Sequence, residues 1–502
     1  MKAYEAAWAR LQPEQPGHAQ LPEDVAFEAD LLRWLRFHEA MLIGEVIPHL
    51  YHYLRENPAA PELSEFGHVL IDEYQDLNRA EQEVLQLLGS GAAMCVIGDD
   101  DQSIYSFKHA FPDGVREWSR NGREDHAIVE CRRCPTTVVR MANSLIARNQ
   151  NRDPRQMNER VENGAGNVII GQYQTVSDEA GAVARKIAQL VEAGVSPGDI
   201  IVLAQRRPFA TPIFDLLRES GVPVKSYYAE AALDSLEAQE RFALLKLILN
   251  PEDRVALRWL LGRGHNRWRA NEYRRLVEYC EQNNCSPRNA LEQLSDGVIQ
   301  IRNLGGLLQR FREIVAEAER LTVFADDPAT FLAEWIPNPE ILPLLSDVAA
   351  QALEESDELE GFFDNLSRAI TEPDVPAQVD EVRVMSLHKS KGLSSRYVFI
   401  VGCVEGLLPG SPRGQNQAED AAKLEEDRRL MFVGITRVKA DPEGGHPGYL
   451  ALTYPVTMNL GDAFRSQITP VRQQGQTAFL RASRFVGEMG PAAPQPIASP
   501  AL

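Results

Sequence analysis

Two short apolar segments, each ending in a group of acidic residues, constrain the fold more than any other feature of this sequence. They are HVLIDEYQD near residues 68–76 and AMCVIGDDDQS near residues 93–103, and a helix-like segment, NRAEQEVLQLL, lies between them. Short apolar runs of this kind are typical of buried parallel strands, and the carboxyl ends of parallel strands meet at one edge of a sheet. The pattern predicts an α/β fold.

A second α/β pattern begins near Val168. The strand-like segments VIIGQY, DIIVLAQ and VPVKSYY alternate with helix-like segments, which is the rhythm of a parallel sheet. Residues 232–375 are then charged and helical in pattern, before strand character returns in EVRVMSLH, SRYVFIVGC and YLALTYP. We therefore predict a sheet that is interrupted by a helical insertion and then completed.

The chain has 502 residues, more than the roughly 250–300 that one hydrophobic core supports, so several domains are expected. We place a helical segment at 1–65, the end of a first α/β domain at 66–160, a second α/β domain at 161–231 and 376–485, and the helical insertion at 232–375. The proline- and alanine-rich end, residues 486–502, offers little to pack and is predicted to be disordered.

The formal net charge of -20 excludes a protein that coats nucleic acid through bulk positive charge, so any DNA contact must be local. The first residues lack a secretory-signal pattern, no apolar run approaches the roughly 20 residues of a membrane span, and we expect a cytoplasmic protein.

The six cysteines are irregularly spaced, which indicates reduced thiols. Cys131 and Cys134 have C-x-x-C spacing, and Cys280 and Cys285 form a second pair. Because zinc needs about four converging ligands, and the pairs fall in different predicted domains, buried thiols are favoured over a metal site.

Adjacent carboxylates at the end of an apolar strand are what a nucleotide hydrolase requires. Asp72 and Glu73 follow such a strand, and one carboxylate can hold a magnesium water shell while the other orients the attacking water. An acidic pair alone is more often an exposed turn. Downstream, however, Gln102 can sense a γ-phosphate, and Tyr105 and Phe107 offer faces on which unpaired bases stack; for these two, ordinary core aromatics are the alternative.

Taken together, the motifs resemble those of the UvrD/Rep-type superfamily 1 DNA helicases. IDEYQDLNRAEQ and IGDDDQSIYSFKHA resemble motifs II and III, CRRCPTTVVRMANSLIARN resembles motif IV, VRVMSLHKSKGLSSRYVFIVG resembles motif V, and LEEDRRLMFVGITRVKA resembles motif VI. They occur in the family's order. The resemblance implies tandem RecA-like P-loop NTPase domains, with residues 1–65 a remnant of the 1B domain, 66–160 in domain 1A, 161–231 and 376–485 in domain 2A, and 232–375 in the place of domain 2B.

The resemblance also implies functional residues. Catalytic roles fall to Asp72, which would hold magnesium, and to Glu73, Gln102, Arg133 and Arg437, of which the two arginines would reach the γ-phosphate. ATP would contact Gln102, Arg133, Gly392 and Arg437. DNA would contact Tyr105, Phe107, Lys108 and His388, and Lys391 would lie near the nucleotide cleft. The implied cofactors are ATP and Mg²⁺, the implied partner is single-stranded or duplex DNA, and the implied activity is 3′-to-5′ unwinding in repair or replication.

The sequence departs from the family in one major respect. The phosphate-binding loop G-x-x-x-x-G-K-[ST] is absent, and no Gly-Lys pair occurs in the chain. We expect the first part of domain 1A to be missing, either because a separate chain supplies it or because the sequence is truncated. Its absence would leave an apolar sheet edge and face exposed. Motif IV has Cys131 and Arg132 in place of Asn-Tyr, and motif V has Ser394 in place of Glu.

Two alternatives remain from the residues alone. The chain could be a catalytically inactive helicase remnant that binds DNA or protein. A third hypothesis, a two-metal nuclease site at Asp99–Asp101, is disfavoured because these carboxylates lie within motif III and no separate acidic cluster accompanies them.

Overall fold

The computed structural model describes residues 8–11, 22–120, 124–228, 232–354, 356, 358–371, 378–412 and 416–502. Parts of the predicted 1–65 segment, including most of the first 21 residues, lie outside this range, as do residues 229–231 and 372–377 at the ends of the predicted insertion.

The helices begin and end as follows: α1 (Pro22–Phe37), α2 (Val46–Glu56), α3 (Arg79–Leu88), α4 (Asp113–Arg120), α5 (Thr136–Ile146), α6 (Val176–Glu192), α7 (Arg207–Glu219), α8 (Leu236–Leu249), α9 (Arg254–Gly262), α10 (Ala270–Asn283), α11 (Pro287–Ser295), α12 (Gly305–Thr322), α13 (Pro328–Trp335), α14 (Pro343–Glu354), α15 (Leu359–Thr371), α16 (Gln417–Ile435), α17 (Leu460–Arg465) and α18 (Arg484–Glu488). Within the described ranges, none of these helices is long and apolar enough to cross a membrane.

The strands are β1 (His68–Ile71), β2 (Ala93–Val96), β3 (Glu130–Cys131), β4 (Asn158–Glu159), β5 (Asn167–Thr175), β6 (Ile200–Ala204), β7 (Val224–Ser226), β8 (Val382–Met385), β9 (Tyr397–Val401), β10 (Tyr449–Asn459), β11 (Arg472–Gln474), β12 (Thr477–Phe479) and β13 (Ile497–Ala498). Helices and parallel strands alternate along much of the chain, which confirms the predicted α/β class.

Contacts divide the chain into two compact units. The first, here called the sheet unit, comprises Met1–His18, Gly44–Tyr228 and Val375–Leu502; the second, the helical unit, comprises Ala19–Ile43 and Ala229–Asp374.

The main sheet of the sheet unit contains nine described strands. Strands β11, β12, β10, β9, β6, β8 and β7 are neighbours in that order, while β5 pairs with β10 and with β13. All five residues of β6 are buried, because helices cover both faces of a parallel sheet. Strands before and after the long insertion pair directly, as β6 does with β8 and β9. The prediction of an interrupted and then completed sheet is therefore confirmed.

A separate pair of strands carries the first acidic motif. Strands β1 and β2 run parallel, with Ile71 opposite Val96. Helix α3 connects them and begins with a capping box, in which Asn78 accepts from the Glu81 amide and Glu81 accepts from the Asn78 amide. Leu70 of β1 is 73% exposed, in agreement with the apolar surface expected for this small sheet.

The carboxyl-terminal segment contradicts the prediction of disorder for residues 486–502. Strand β13 pairs in parallel with the edge strand β5, and the Ser499 amide donates to Gln172 O over 2.7 Å. Tyr173 donates its hydroxyl hydrogen to Pro500 O, and Met489 is fully buried. Composition does not reveal this order, because the stabilising bonds are made by the backbone to a distant strand.

The helical unit is built by α8–α15 together with α1. Its core includes Trp335, whose indole nitrogen donates to Arg241 O over 2.9 Å. The predicted single helical segment at 1–65 is divided by the structure, since Ala19–Ile43 belong to this unit and later residues do not. This division arises because side chains of α1 and its following turn contact helices that come much later in the sequence. For example, His38 Nε2 lies 2.9 Å from the Tyr273 hydroxyl.

Candidate functional site

The carboxyl end of β1 places two acidic side chains next to each other. Asp72 is exposed, and its Oδ1 accepts from the Glu73 amide over 2.9 Å. Glu73 has φ of 51°, a left-handed conformation that is uncommon for a residue with a side chain. Magnesium prefers one or two protein carboxylates together with water and phosphate oxygens, so the accessible Asp72 carboxylate is a suitable donor for it.

Gln75 connects the ends of the two strands. Its Nε2 donates to Glu73 Oε2, and its Oε1 accepts from the Asp99 amide over 2.9 Å. Asp99 Oδ2 in turn accepts from Gln102 Nε2 over 2.7 Å. Glu73 and Gln102, which the sequence predicts as catalytic residues, thus belong to one hydrogen-bond chain. Gln75 was not predicted, although its place two residues after Glu73 is a signal that could have been used.

Lys391 joins this chain from the other side. Its Nζ lies 2.6 and 2.8 Å from the two carboxylate oxygens of Asp76, 2.8 Å from Gln102 O and 3.2 Å from Glu73 Oε2. The lysine side chain is only 6% exposed. Burial raises the pKa of Asp76 even though Lys391 acts in the opposite direction. Gly392 follows with φ of 81°, a conformation that favours glycine and that lets the chain turn directly after the lysine.

Three of the four predicted DNA-binding residues form an aromatic cluster, and the fourth, Lys108, lies beside it. The rings of Tyr105 and Phe107 lie 5.7 Å apart, and Phe107 lies 5.9 Å from His388, both in edge-to-face geometry. Tyr105 donates its hydroxyl hydrogen to His388 O, and Lys108 Nζ lies 5.5 Å from the Tyr105 ring. Burial lowers the pKa of His388 to about 4, so its imidazole is neutral at pH 7. Phe107 is 64% exposed and presents an apolar ring to solvent.

The two predicted arginines lie close to each other. Arg437 is fully buried and donates to Val433 O over 2.8 Å and to Leu393 O over 3.2 Å. Burial, and next the charge of Arg133, lower the pKa of Arg437 to about 9. Arg133 has a buried Nε with no hydrogen-bond partner. Two adjacent guanidinium groups are a suitable environment for an anion, because an anion would relieve their mutual repulsion.

The run Asp99–Asp101 groups three carboxylates within 4.8 Å of one another. Asp101 accepts from Arg152 Nε over 2.8 Å, and Asp100 Oδ2 accepts from the Asp153 amide over 2.8 Å. Burial raises the pKa of Asp101 to about 6. Since Asp99 also accepts from Gln102, all three carboxylates bind protein groups, which favours a structural role over the two-metal nuclease hypothesis.

One open cleft brings the two strand ends together. It has a volume of about 1080 Å³, and its lining includes Asp72, Glu73, Asp99 and Gln102. Small-molecule sites commonly enclose roughly 300–1,000 Å³, so the space is sufficient for a nucleotide.

Two family models match most of the sequence. The UvrD/REP helicase N-terminal domain matches residues 22–121, and the UvrD-like helicase C-terminal domain matches residues 132–285 and 269–441. The chain belongs to the UvrD-like helicase family. The two family models confirm the resemblance that the motifs predicted. The parallel α/β architecture is consistent with the RecA-like helicase fold.

Individual UvrD-like helicases are similar at modest identity. ATP-dependent DNA helicase UvrD1 of Mycobacterium tuberculosis is 27% identical over 448 residues, which cover 80% of this chain and 56% of that protein. DNA helicase II of Escherichia coli is 26% identical over 497 residues, covering 92% and 62%. ATP-dependent DNA helicase PcrA of Bacillus subtilis is 28% identical over 410 residues, covering 75% and 54%. The chain thus spans somewhat more than half the length of these relatives.

Proposed function

We propose that this chain carries the magnesium-binding, water-activating and single-strand-binding groups of an ATP-dependent DNA helicase. The observation that carries the proposal is the position of Lys391. The same ammonium group bonds to Asp76 and Gln102 O and lies 5.5 Å from the Tyr105 ring. A residue that contacts both the hydrolytic strand ends and the aromatic cluster supports coupling between nucleotide hydrolysis and DNA binding.

The proposed role of each residue in ATP hydrolysis follows from the chemistry and contacts of its side chain. Asp72 would hold magnesium, which when bound neutralises charge on the β- and γ-phosphates. Glu73, fixed by Gln75 and near Lys391, would orient the attacking water and accept its proton. Gln102 would contact the γ-phosphate, and Gly392 would allow the backbone to approach the nucleotide.

The arginine pair supports the same assignment. Arg133 and Arg437 repel each other, and the Arg133 Nε lacks a partner, so a phosphate group between them would be stabilised. Arg437 donates to protein carbonyls in this structure, and its proposed role requires that it exchange at least one of these bonds for a phosphate oxygen.

The proposal extends to the direction and setting of the activity. The family implies 3′-to-5′ movement and service in DNA repair or replication. The phosphate-binding loop would come from sequence outside these 502 residues, and a separate chain is one source of it. ATP, magnesium and DNA are the ligands that this assignment requires.

DNA binding is tested by fluorescence anisotropy with a labelled single-stranded oligonucleotide. Phe107→Ala should weaken binding about tenfold, since stacking of one base contributes roughly 1–3 kcal/mol. Phe464→Ala is the matched control, because Phe464 is also a phenylalanine of the sheet unit and is 62% exposed. Equal affinities for the two variants would contradict the proposed DNA site.

Hydrolysis is tested by DNA-stimulated ATP turnover, with and without an added polypeptide that carries a phosphate-binding loop. Glu73→Gln should abolish turnover, whereas Glu65→Gln, at an exposed glutamate nearby, should leave it unchanged. DNA binding without turnover in both mixtures would instead favour the inactive, DNA-binding alternative.

A further inference from the structure

The turn that carries Phe107 is held by a residue from a distant helix. Glu426 lies in α16, 320 residues after Ser106, and its Oε1 accepts from the Ser106 amide over 2.8 Å. Ser106 stands between Tyr105 and Phe107, two aromatic residues of the candidate DNA site. The bond therefore reaches the middle of this site from a helix that contains none of the predicted DNA-binding residues.

The Ser106 amide needs a partner outside its own turn. Ser106 begins a short 3-10 turn, Ser106–Lys108, and the first amides of a helical turn have no partner within it. The preceding residue, Tyr105, provides no side-chain cap. Glu426 takes the place of a cap, and a carboxylate is a strong acceptor for a backbone amide. The bond thus fixes the first residue of the turn on which Phe107 lies.

The Glu426 carboxylate is enclosed by protein. The residue is only 7% exposed, and its Oε2 lies 3.3 Å from Lys423 Nζ. Phe107, in contrast, is 64% exposed. A buried carboxylate that already accepts from two protein groups is poorly suited to contact DNA, because the DNA phosphates carry the same charge. Its route to the DNA is therefore through the turn.

We propose that Glu426 is a positioning residue for DNA binding, which fixes the Ser106–Lys108 turn so that an unpaired base can stack on the Phe107 ring. The ligand is a single-stranded nucleic acid, recognised at this ring through the face of a base. The inference rests on the proposed function, since the position of the ring matters only if Phe107 contacts DNA.

The neighbouring residue of α16 provides a matched control. Glu425 Oε1 also accepts from a backbone amide, that of Gln150, over 2.7 Å. Both glutamates therefore hold a loop of the sheet unit from the same helix, but Gln150 is not among the predicted DNA-binding residues. A merely structural role predicts similar consequences for the loss of either carboxylate.

The experiment measures binding of a labelled single-stranded oligonucleotide to the full chain by fluorescence anisotropy, with a melting curve for each variant. Glu426→Ala should weaken binding by up to about tenfold, the loss expected for Phe107→Ala, because it acts through that ring. Glu425→Ala should leave the affinity close to that of the wild type. Equal losses of affinity for the two alanine variants, or no loss for Glu426→Ala, would overturn the inference.

Two conservative variants separate the hydrogen bond from the charge. Glu426→Gln keeps an oxygen for the Ser106 amide and should restore most of the affinity. Glu426→Asp keeps the charge but withdraws the oxygen by one methylene, so it should bind as weakly as the alanine variant. This pair provides the same test if Glu426→Ala does not fold. The reverse order of affinities would overturn the inference.

A double variant shows whether the effect passes through Phe107. In a Phe107→Ala background, Glu426→Ala should cause little further loss of affinity, because the ring that it positions is gone. Additive losses would contradict the proposed route.

Failure of this inference differs from failure of the proposed function. A wild-type chain that does not bind the oligonucleotide, or that binds it no better than Phe107→Ala does, would overturn both. Binding that Phe107→Ala weakens and Glu426→Ala does not would overturn the inference alone.

Discussion

At the scale of single residues, buried charged groups determine how the candidate site is connected. Lys391 is nearly buried and makes its bonds to groups about 300 positions earlier in the chain, 315 residues away at Asp76 and 289 at Gln102. The cost of burying an ammonium group is offset only when such partners are all present. The site therefore depends on a few exact pairings and not on the general acidity of the region.

Replacement of Lys391 tests this dependence. Lys391→Met leaves the Asp76 carboxylate without its partner, and the free energy of unfolding should fall by about 3 kcal/mol. Chemical denaturation at pH 7 measures the change. Adding Asp76→Asn should recover part of the loss, because the uncompensated charge is then gone. Additive losses in the double variant would show that the two groups do not interact.

Glu179 gives a second prediction at this scale, on stability against pH. It is completely buried in α6, and its Oε1 accepts from the Gly402 amide and from the Thr453 hydroxyl. Burial raises its pKa from 4.5 to about 7. A raised pKa of an acid favours the protonated form in the folded state. The stabilising effect is therefore complete below pH 4.5 and is lost as the pH rises through about 7.

Glu179→Gln should remove this pH dependence. The amide keeps an oxygen for both donors and carries no charge, so the variant should exceed the wild type in stability at pH 8 by up to about 3 kcal/mol. At pH 4.5 the two proteins should be nearly equal. Denaturant unfolding at both pH values measures the difference, and Glu192→Gln, at an exposed end of the same helix, is the control. A uniform shift at both pH values would contradict the assignment.

At the scale of elements, the carboxyl-terminal strand shows how backbone pairing overrides composition. Residues 494–502 are rich in proline and alanine, yet β13 covers the edge of β5 and Leu502 is buried. An edge strand has unpaired backbone groups, and a short segment can satisfy them whatever its side chains are.

Deletion of residues 495–502 should therefore destabilise the main sheet. The melting temperature should fall by about 2–4 °C, as expected for the loss of roughly 1 kcal/mol, and amide exchange in β5 should become faster. Ile497→Ser is the control, since this exposed side chain can change while the backbone bonds remain. If the deletion and the substitution had equal effects, side chains and not backbone pairing would be responsible.

At the scale of the whole molecule, the residues that the structure describes form two large hydrophobic cores. Phe399 is fully buried in the core of the main sheet, and Trp335 is fully buried in the core of the helical unit. Separate cores of this size are the usual basis for separate cooperative transitions.

Differential scanning calorimetry should thus show two transitions. Trp335→Ala and Phe399→Ala each remove a large buried side chain, at a cost of about 3–5 kcal/mol. Each variant should lower the temperature of one transition and leave the other nearly unchanged. A single transition that both variants lower equally would show that the two units unfold as one.

Local patterns in the sequence determined the α/β class, the interrupted sheet, the helical insertion and the identity of the motif residues. The first three features follow from apolar periodicity, which is a property of neighbouring positions, whereas the roles of the motif residues are implied by the resemblance to the UvrD/Rep-type helicases. The strands that deliver Asp72 and Gln102 could be located for that reason.

Only the tertiary structure decided the contacts among those residues. The bridge from Lys391, the Gln75 link between strand ends, the division of residues 1–65 and the pairing of β13 all join positions far apart in the chain. Such contacts depend on which buried polar groups meet after folding, and the free energy of burial enforces them. Apart from the position of Gln75 two residues after Glu73, a single sequence contains no local trace of that choice.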